Sequence, residues 1–136
     1  MLFILLIVML IQQCLSLPAI EPIAHLKLLN ATSYATAKCL DGTQSGYYYE
    51  PASDVKNSKK WVIRLQGGGE CTTEESCRPK LSQGLGSSKY FPKTLKQDFL
   101  TSADPTANPT LHSWNRVYIP YCTQVFFIQL FVTCYS

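Results

Sequence analysis

The sequence predicts an α/β fold within a single domain, and the order of its predicted elements supports that class. Residues 61–65 (WVIRL) are a short, mostly apolar run of β-branched and aromatic residues, which is typical of a buried strand. Three glycines follow at once, a partly helical stretch comes next at 72–83, and a second strong strand is predicted at 114–122. Strand, Gly-rich loop, helix, loop and strand in this order are typical of α/β proteins, in which loops at strand ends hold ligands.

The composition fits one packed domain and argues against nucleic-acid binding. The chain has 136 residues, of which 46% are apolar and 15% charged, and its formal net charge is +3. This length suits about one domain, and the apolar fraction is large enough for a core. The basic residues are scattered, with no run longer than Lys59-Lys60, so the sequence lacks the basic patch that a nucleic acid would need.

The first sixteen residues are predicted to be a cleaved signal peptide. Residues 2–11 form an unbroken apolar run, and Cys14-Leu15-Ser16 follows as a suitable cleavage site before the helix-breaking Pro18. A helix of this length would cross only about half of the bilayer core, so a spanning helix is disfavoured. A signal anchor and a buried strand are the alternatives. The sequence therefore predicts a signal peptide at 1–16 and a secreted, extracellular protein with no stable membrane span.

Secretion changes how the cysteines are interpreted. The chain has six cysteines, and cleavage after the signal peptide would remove Cys14 and leave five. In an oxidising compartment four of them can pair, and one is left over. A zinc site is disfavoured, because Cys71 and Cys77 are widely spaced for metal ligands and no histidine lies near them. Asn30-Ala31-Thr32 is an N-glycosylation sequon, which agrees with a secretory route.

Turn residues predict a hairpin in the first third of the mature chain. Asp41-Gly42 is a turn signal that lies between residues 26–40 and the aromatic run at 46–49, which suits a strand. Two strand-like runs on either side of such a turn predict a β-hairpin.

Cap residues set the predicted limits of the helix. Thr72, followed three residues later by Glu75, predicts a capping box at its start. Pro79 is expected to break or kink the helix, because proline removes a backbone donor. Gly84-Leu85-Gly86 is expected to end it.

The triple glycine Gly67-Gly68-Gly69 after the first strand has three interpretations. A phosphate-binding loop would need a G-x-x-x-x-G-K-[ST] or G-x-G-x-x-G pattern, and neither is present. A structural turn is possible because glycine tolerates positive φ. The third interpretation is an oxyanion hole. Esterases of α/β-hydrolase type place a glycine loop directly after a strand, and the backbone N–H groups of that loop reach the substrate carbonyl.

A series of short motifs stands in order along residues 26–124, and the set is more specific than any one of its members. The motifs are Leu29-Asn30, Cys39-Leu40-Asp41-Gly42, Gly46-Tyr47-Tyr48, Trp61-Val62-Ile63, Leu65-Gln66-Gly67-Gly68-Gly69, Cys71, Cys77, Ser87-Ser88 and Trp114-Asn115-Arg116-Val117-Tyr118-Ile119-Pro120-Tyr121-Cys122. As a set they resemble the pectin acetylesterase/Notum family of secreted carboxylesterases.

The resemblance implies the fold, the site and the substrates. The fold would be the incomplete N-terminal part of an α/β-hydrolase-like domain at 26–124, with central strands and a Gly-rich oxyanion loop. Gly67, Gly68 and Gly69 would form that loop, and the implied disulfides are Cys71–Cys77 and Cys39–Cys122. The full-length family hydrolyses O-acyl esters of carbohydrates or of an acylated protein. Neither a cofactor nor a metal is expected.

The chain departs from the family pattern near the glycines and after the second strand. Glu70 stands where relatives often carry an aromatic residue, and a buried carboxylate there would oppose a developing negative charge. The last glycine is Gly86, so the 136 residues contain no Gly-x-Ser-x-Gly nucleophile elbow, and no catalytic triad is predicted. Ser87, Asp104 and His112 stand in Ser–Asp–His order, but Ser87 lacks a strand-to-helix elbow, so we interpret all three as loop residues.

Residues 125–136 form a divergent apolar tail with no charged residue. We expect unrelated translation after Gln124, with a genuine short protein as the alternative. Two functions of different classes follow. The first is a truncated secreted serine carboxylesterase that is inactive alone, and the second is a secreted, non-catalytic binding or decoy module.

Overall fold

The structure is a computed structural model that describes residues 23–124 and 132–134. Its described elements are the strands β1 (Ala24–Leu28), β2 (Gly46–Glu50), β3 (Trp61–Leu65), β4 (Thr94–Leu95), β5 (Asn115–Ile119) and β6 (Val132–Cys134), the helix α1 (Glu74–Ser82), and 3-10 turns at Val55–Asn57, Ser88–Tyr90 and Phe99–Thr101. The six strands form one sheet in the order β4-β1-β2-β5-β3-β6.

The sheet is mixed, and its one parallel pair lies near the middle of the described strands. β3 and β5 run parallel, with Trp61 opposite Asn115 and Leu65 opposite Ile119. The other strand pairs in the described part are antiparallel. A parallel pair needs a long crossover, and here that crossover contains the glycine loop and α1. The predicted α/β class is confirmed, as a mixed sheet with few helices.

The core is centred on β2, β3 and β5. Val62 on β3 and Tyr48 on β2 are buried, as are Trp114 and Cys122 on either side of β5. β3 has the bounds that the sequence predicts. The second predicted strand, 114–122, is shorter in the structure, because β5 ends before Pro120, which has no backbone N–H for a strand ladder.

The predicted turn at Asp41-Gly42 is confirmed, but the strand before it is much shorter than the sequence suggested. Gly42 has a positive φ of 80°, and the turn closes an isolated bridge between Lys38 and Gln44. β1 pairs antiparallel with β2, and the pairing ends with Leu28 opposite Gly46. Residues 29–45 therefore form a loop whose tip is the Asp41-Gly42 turn.

Helix α1 begins one residue later than predicted. The capping residue is Thr73 rather than Thr72, and the reciprocal partner in the capping box is Ser76 rather than Glu75. The expected break at Pro79 is wrong, because α1 includes Pro79 and continues to Ser82.

The C-terminal end of α1 agrees with the prediction. Gly84 has a positive φ of 74°. Its N–H donates to the carbonyl of Leu81, while the N–H of Leu85 donates to the carbonyl of Lys80, which together make a Schellman motif. The expected stop at Gly84 is therefore confirmed.

Two disulfides join the pairs that the resemblance implied. Cys39–Cys122 links the turn before β2 to the segment after β5, across a sequence separation of 83 residues. Cys71–Cys77 links the end of the glycine loop to the first turns of α1, across six residues. The start of the crossover between β3 and β5 and the segment that follows β5 are thus each covalently held.

The predicted signal peptide at 1–16 lies outside the described residues, as does most of the predicted tail at 125–136. Within that tail, β6 pairs antiparallel with β3, with Thr133 opposite Val62. Of the helices in the described residues, none is long and apolar enough to cross a bilayer.

Candidate functional site

The triple glycine lies at the carboxyl end of β3, beside the carboxyl end of its parallel neighbour β5. Gly67, Gly68, Gly69 and Glu70 are all exposed. The carboxyl edge of parallel strands is where α/β sheets bind ligands. The predicted position of the candidate oxyanion loop is therefore an accessible edge of the sheet.

Hydrogen bonds join this loop to the segment that follows β5. The N–H of Gln66 donates to the carbonyl of Ile119 at 2.9 Å, and the side-chain oxygen of Gln66 accepts from the N–H of Tyr121 at 2.9 Å. The Tyr121 hydroxyl donates to the carbonyl of Gly69. The N–H of Cys71 donates to the carbonyl of Gln124 at 3.2 Å. The loop is thus tied down at its start, its middle and its end.

The three glycines have different structural reasons for lacking a side chain. None of them has a positive φ, so backbone conformation requires glycine at none of these positions. A Cβ on Gly68 would lie 2.2 Å from Cδ1 of Tyr121, so close packing of that ring excludes any side chain. A Cβ on Gly67 or Gly69 would meet nothing within 4 Å. The fold therefore explains Gly68 but leaves Gly67 and Gly69 unexplained.

The backbone donors of this loop are available to a ligand. Within the part of the chain that the structure describes, none of the N–H groups of Gly67, Gly68 and Gly69 donates a hydrogen bond. Because these residues are exposed, their N–H groups can be solvated by water or can bind a ligand in its place. They can stabilise an oxygen that acquires negative charge.

Tyr121 is the buried side chain beneath the loop, with 5% of its surface exposed. Burial raises the pKa of its hydroxyl, and the negative charge of Glu70 raises it further. The hydroxyl is therefore protonated at neutral pH, as its donation to Gly69 requires. Glu70 itself is exposed, so its carboxylate is not buried against the glycines.

A cavity of about 210 Å³ adjoins the glycine loop through Gln66 and Tyr121. Its walls are mainly aromatic and apolar. They include Tyr48, Phe91, Pro92, Tyr118 and Pro120. Such a pocket suits a small apolar group, and its lining reaches the loop at Gln66 without including Gly67, Gly68 or Gly69.

The residues in Ser–Asp–His order make separate contacts in the structure. The Ser87 hydroxyl accepts from the N–H of Lys89 at 3.2 Å. Asp104 accepts from the N–H of Thr106 at 2.8 Å, and the His112 ring contacts the carbonyl of Asn108 at 3.1 Å. No hydrogen bond among the described residues joins Ser87, Asp104 and His112 into a relay.

Ser87 belongs instead to a cluster around Asp41. Burial alone would raise the pKa of the Asp41 carboxyl, but hydrogen bonds from Thr43 and Ser87, together with the charge of Lys89, lower it from 3.8 to about 2. The Nζ of Lys89 lies 3.7 Å from Asp41. This cluster joins the Asp41-Gly42 turn to the loop after α1.

The remaining predicted site residues have simpler surroundings. Asn30 of the sequon is exposed, and its side-chain oxygen accepts from the N–H of Thr32 at 2.8 Å. Among the described residues no group of three or more His, Cys, Asp or Glu side chains could hold a metal ion.

Sequence reasoning missed Gln66 and Tyr121 as parts of the site. Both stand inside motifs that carry the resemblance, which by itself implies no role for either of them. The available signal is Gly68 itself, because the close approach of another group to the Cα is one reason for a glycine. The sequence cannot say which group that is.

A glycine loop with exposed backbone N–H groups, at the carboxyl edge of a mixed sheet, is typical of α/β-hydrolase-like proteins. A sequence model of the family described as Pectinacetylesterase matches residues 20–129. The chain therefore belongs to the pectinacetylesterase family.

Individual relatives and solved structures agree with this assignment. Pectin acetylesterase 5 of Arabidopsis thaliana is 38% identical over 109 residues, which cover 79% of this chain and 25% of that protein. Palmitoleoyl-protein carboxylesterase NOTUM of Schmidtea mediterranea is 36% identical over 99 residues, covering 71% of this chain and 18% of that protein. The structure of the Wnt deacylase Notum from Drosophila matches 76% of this chain and 28% of its own, with 31% identity and a TM-score of 0.65. The chain thus spans between 18% and 28% of the length of these relatives.

Proposed function

We propose that this chain supplies the oxyanion side of a secreted carboxylesterase site that hydrolyses O-acyl esters. The observation that carries the proposal is the pair of open glycines, Gly67 and Gly69. Their neighbours leave room for side chains, and their backbone angles do not require glycine. Glycine there keeps the space above the loop free for a substrate that approaches from solvent.

The chemistry of ester hydrolysis matches these donors. Attack on an ester carbonyl converts its oxygen into an oxyanion, and N–H groups already aimed at that position stabilise the transition state more than the ground state. The names of the relatives indicate two substrate classes, acetylated pectin and a palmitoleoylated protein. We propose an acylated carbohydrate or an acylated protein as the substrate for the whole catalytic domain.

The 136 residues alone are proposed to be inactive. They contain no Gly-x-Ser-x-Gly, and the described structure does not bring Ser87, Asp104 and His112 together by hydrogen bonds. Hydrolysis of an activated acetyl ester by the purified mature chain should therefore stay at background. Ser87→Ala is the control, and turnover that disappears in this variant would restore Ser87 as a nucleophile.

The alternative proposal is a secreted, non-catalytic binding or decoy module. The aromatic cavity of about 210 Å³ beside the loop favours it, because this cavity is formed entirely by residues of this chain. Saturable binding of a short acyl ester by the inactive chain would support this function.

The role of the glycines can be tested in a hybrid in which residues 1–124 precede the matching remainder of Arabidopsis pectin acetylesterase 5. Gly67→Pro and Gly69→Pro each delete one N–H donor, whereas the matched Gly67→Ala and Gly69→Ala keep it. We expect at least one proline variant to lower kcat by about 10²-fold or more. The alanine variants should lose less, because a Cβ fits at both positions. If both folded proline variants keep the parental kcat, the loop is not an oxyanion hole.

Secretion has an independent test. N-terminal sequencing of material from the culture medium should begin at Leu17 if the leader is removed after Ser16. Treatment with an N-glycosidase should lower the mass only in chains that keep Asn30, so Asn30→Gln is the matched control. Material that remains in the cell with an intact N-terminus would contradict both expectations.

A further inference from the structure

The contacts between Tyr121 and the glycine loop are closer and more directional than ordinary core packing. The aromatic ring lies against Gly68 so closely that a Cβ would be within 2.2–2.9 Å of three ring atoms. The hydroxyl donates to the carbonyl of Gly69, which lies 52 residues away in sequence. Tyr121 thus contacts two successive residues of the loop. Its ring packs against Gly68, and its hydroxyl donates a hydrogen bond to Gly69.

These two contacts restrain the backbone on both sides of the Gly68–Gly69 peptide. The ring limits the position of the Gly68 Cα, and the hydroxyl fixes the direction of the Gly69 carbonyl. Because a peptide group is planar, the fixed Gly69 carbonyl also fixes the plane of the Gly69–Glu70 peptide, whose N–H belongs to Glu70. The N–H of Gly69 belongs to the preceding peptide, which lies between these two restrained points and therefore has less freedom.

Tyr121 is itself held firmly from three sides. Its own N–H donates to the side chain of Gln66. The next residue, Cys122, is bonded to Cys39, and the carbonyl of Cys122 accepts from the N–H of Leu40 at 2.8 Å. A mobile tyrosine could not orient a loop, but this one is fixed by the covalent framework of the sheet.

We infer that Tyr121 is a positioning residue for the oxyanion loop, which it orients through the Gly68 Cα and the Gly69 carbonyl. This inference rests on the proposed function, because the orientation of the loop matters for catalysis only if the loop is an oxyanion hole. Tyr121 makes no contact with reacting atoms in this scheme. Its effect on the reaction is to keep backbone donors aimed before the substrate arrives, which avoids reorganisation during catalysis.

The first test measures the loop itself, without any activity. In the full 136-residue chain, Tyr121→Phe deletes the hydroxyl and keeps the ring against Gly68. We expect the amide order parameters of Gly67–Gly69, from ¹⁵N relaxation, to fall from about 0.85 to below about 0.6. Tyr49→Phe is the matched control, because it deletes a tyrosine hydrogen bond to Asn115 at the opposite end of β5. Unchanged order parameters in Tyr121→Phe would overturn the inference, whatever the activity.

A pair of substitutions that change side-chain size at residues 68 and 121 tests the contact between the Tyr121 ring and Gly68 separately. Gly68→Ala should lower the unfolding temperature by several degrees in the parent chain, because its Cβ would overlap the Tyr121 ring. In a chain that already carries Tyr121→Ala, Gly68→Ala should lower the unfolding temperature only slightly. An equal loss in both backgrounds would show that the ring does not limit Gly68, against the inference.

The third test is kinetic and separates this inference from the proposed function. In the hybrid enzyme described above, Tyr121→Phe should lower kcat about 10-fold and leave KM within about twofold, since only transition-state contacts are weakened. A loop that loosens without any loss of kcat would mean that Tyr121 holds the loop but that the loop is not catalytic, which overturns the proposed function. A loop that stays rigid while kcat falls would overturn the positioning role alone.

Discussion

The two sides of the candidate site differ in how they are buried. On one side, β5 and its flanking residues are largely buried, with Trp114, Arg116, Cys122 and Gln124 inaccessible and the second half of β5 half-buried. On the other side, the glycine loop is exposed and α1 contains no buried residue at all. The two sides nevertheless lie against each other along the edge of the same sheet.

The exposed side is held by directional and covalent links rather than by hydrophobic burial. A disulfide, a capping box and a Schellman motif define α1, and backbone hydrogen bonds tie the loop to residues 119–124. Burial of apolar surface contributes most of the stability of a helix in most proteins. Because α1 buries no residue, caps and a disulfide hold the helix instead. Mutations on the two sides should therefore change the free energy of unfolding by very different amounts.

Removal of the Cys39–Cys122 disulfide should have the largest effect, because this bond anchors the buried side. It closes a sequence separation of 83 residues, and the chain-entropy estimate for such a loop is about 4.5 kcal/mol. Urea unfolding of the double alanine variant Cys39→Ala/Cys122→Ala should show a loss of this order in the free energy of unfolding. A loss below about 1 kcal/mol would mean that burial alone holds the segment after β5.

The buried ion pair is the second anchor of that side. Arg116 and Glu50 are 1% and 7% exposed and lie 2.6 Å apart, and one oxygen of Glu50 has no partner among the described residues. Glu50→Gln leaves a buried guanidinium without its counter-charge, so we expect a loss of about 3 kcal/mol. Glu74→Gln is the matched control, because Glu74 pairs with Arg78 on the exposed surface of α1 and should cost below about 0.5 kcal/mol. Equal losses would remove the contrast between the two sides.

The Cys71–Cys77 disulfide should matter less for global stability and more for the loop. It closes only six residues, for which the chain-entropy estimate is about 2 kcal/mol. In Cys71→Ala/Cys77→Ala we expect a loss of this size, together with faster amide exchange in α1 than in β5. Uniform exchange throughout the chain would indicate that α1 and the sheet unfold as one unit, contrary to the comparison.

Asp41 joins the Asp41-Gly42 turn to the loop after α1, and its contribution to stability depends on pH. The folded-state pKa of about 2 lies below the ordinary value of 3.8, so the ionised carboxylate stabilises the fold above about pH 4. That stabilisation is lost as the pH falls from about 4 through 2. Asp41→Asn should therefore cost about 1.5 kcal/mol at pH 6, and should reduce the acid sensitivity of the free energy of unfolding.

The measurement for Asp41 is urea unfolding at several pH values between 2 and 6. Asp54→Asn is the control, since Asp54 accepts one hydrogen bond at the start of a 3-10 turn. A pH profile that is the same for Asp41→Asn and the parent would place the acid-sensitive group elsewhere.

The contrast between the buried and the exposed side also explains which features the sequence alone predicts and which it does not. β3 was predicted with its observed bounds because a short β-branched run followed by glycines is a strong local signal. Arg116 could be read only as part of a motif, because its partner Glu50 lies on another strand and no local pattern joins them. The contact of Tyr121 with Gly68 is likewise non-local, and only the folded sheet brings the two together. Local signals thus gave the elements, whereas the pairings that hold the site arise from tertiary structure.

The start of α1 gives the smallest expected effect and a direct test of that limit. Thr72 and Thr73 are adjacent, and each is followed three residues later by a residue that can reciprocate, Glu75 or Ser76. The sequence favoured Thr72, because glutamate is the usual partner in a capping box. In the structure Thr73 is the cap, and its side chain accepts from the N–H of Ser76 at 3.2 Å.

Alanine at each position separates the two assignments. Thr73→Ala removes the acceptor for an otherwise unpaired N–H and should cost about 1 kcal/mol in the free energy of unfolding. Thr72→Ala changes an exposed residue outside the helix and should stay within about 0.5 kcal/mol of the parent. Urea unfolding of both variants checks the difference. If Thr72→Ala costs more than Thr73→Ala, the capping residue is Thr72 and α1 starts one residue earlier. The position of the Cys71–Cys77 disulfide relative to the start of the helix would then change as well.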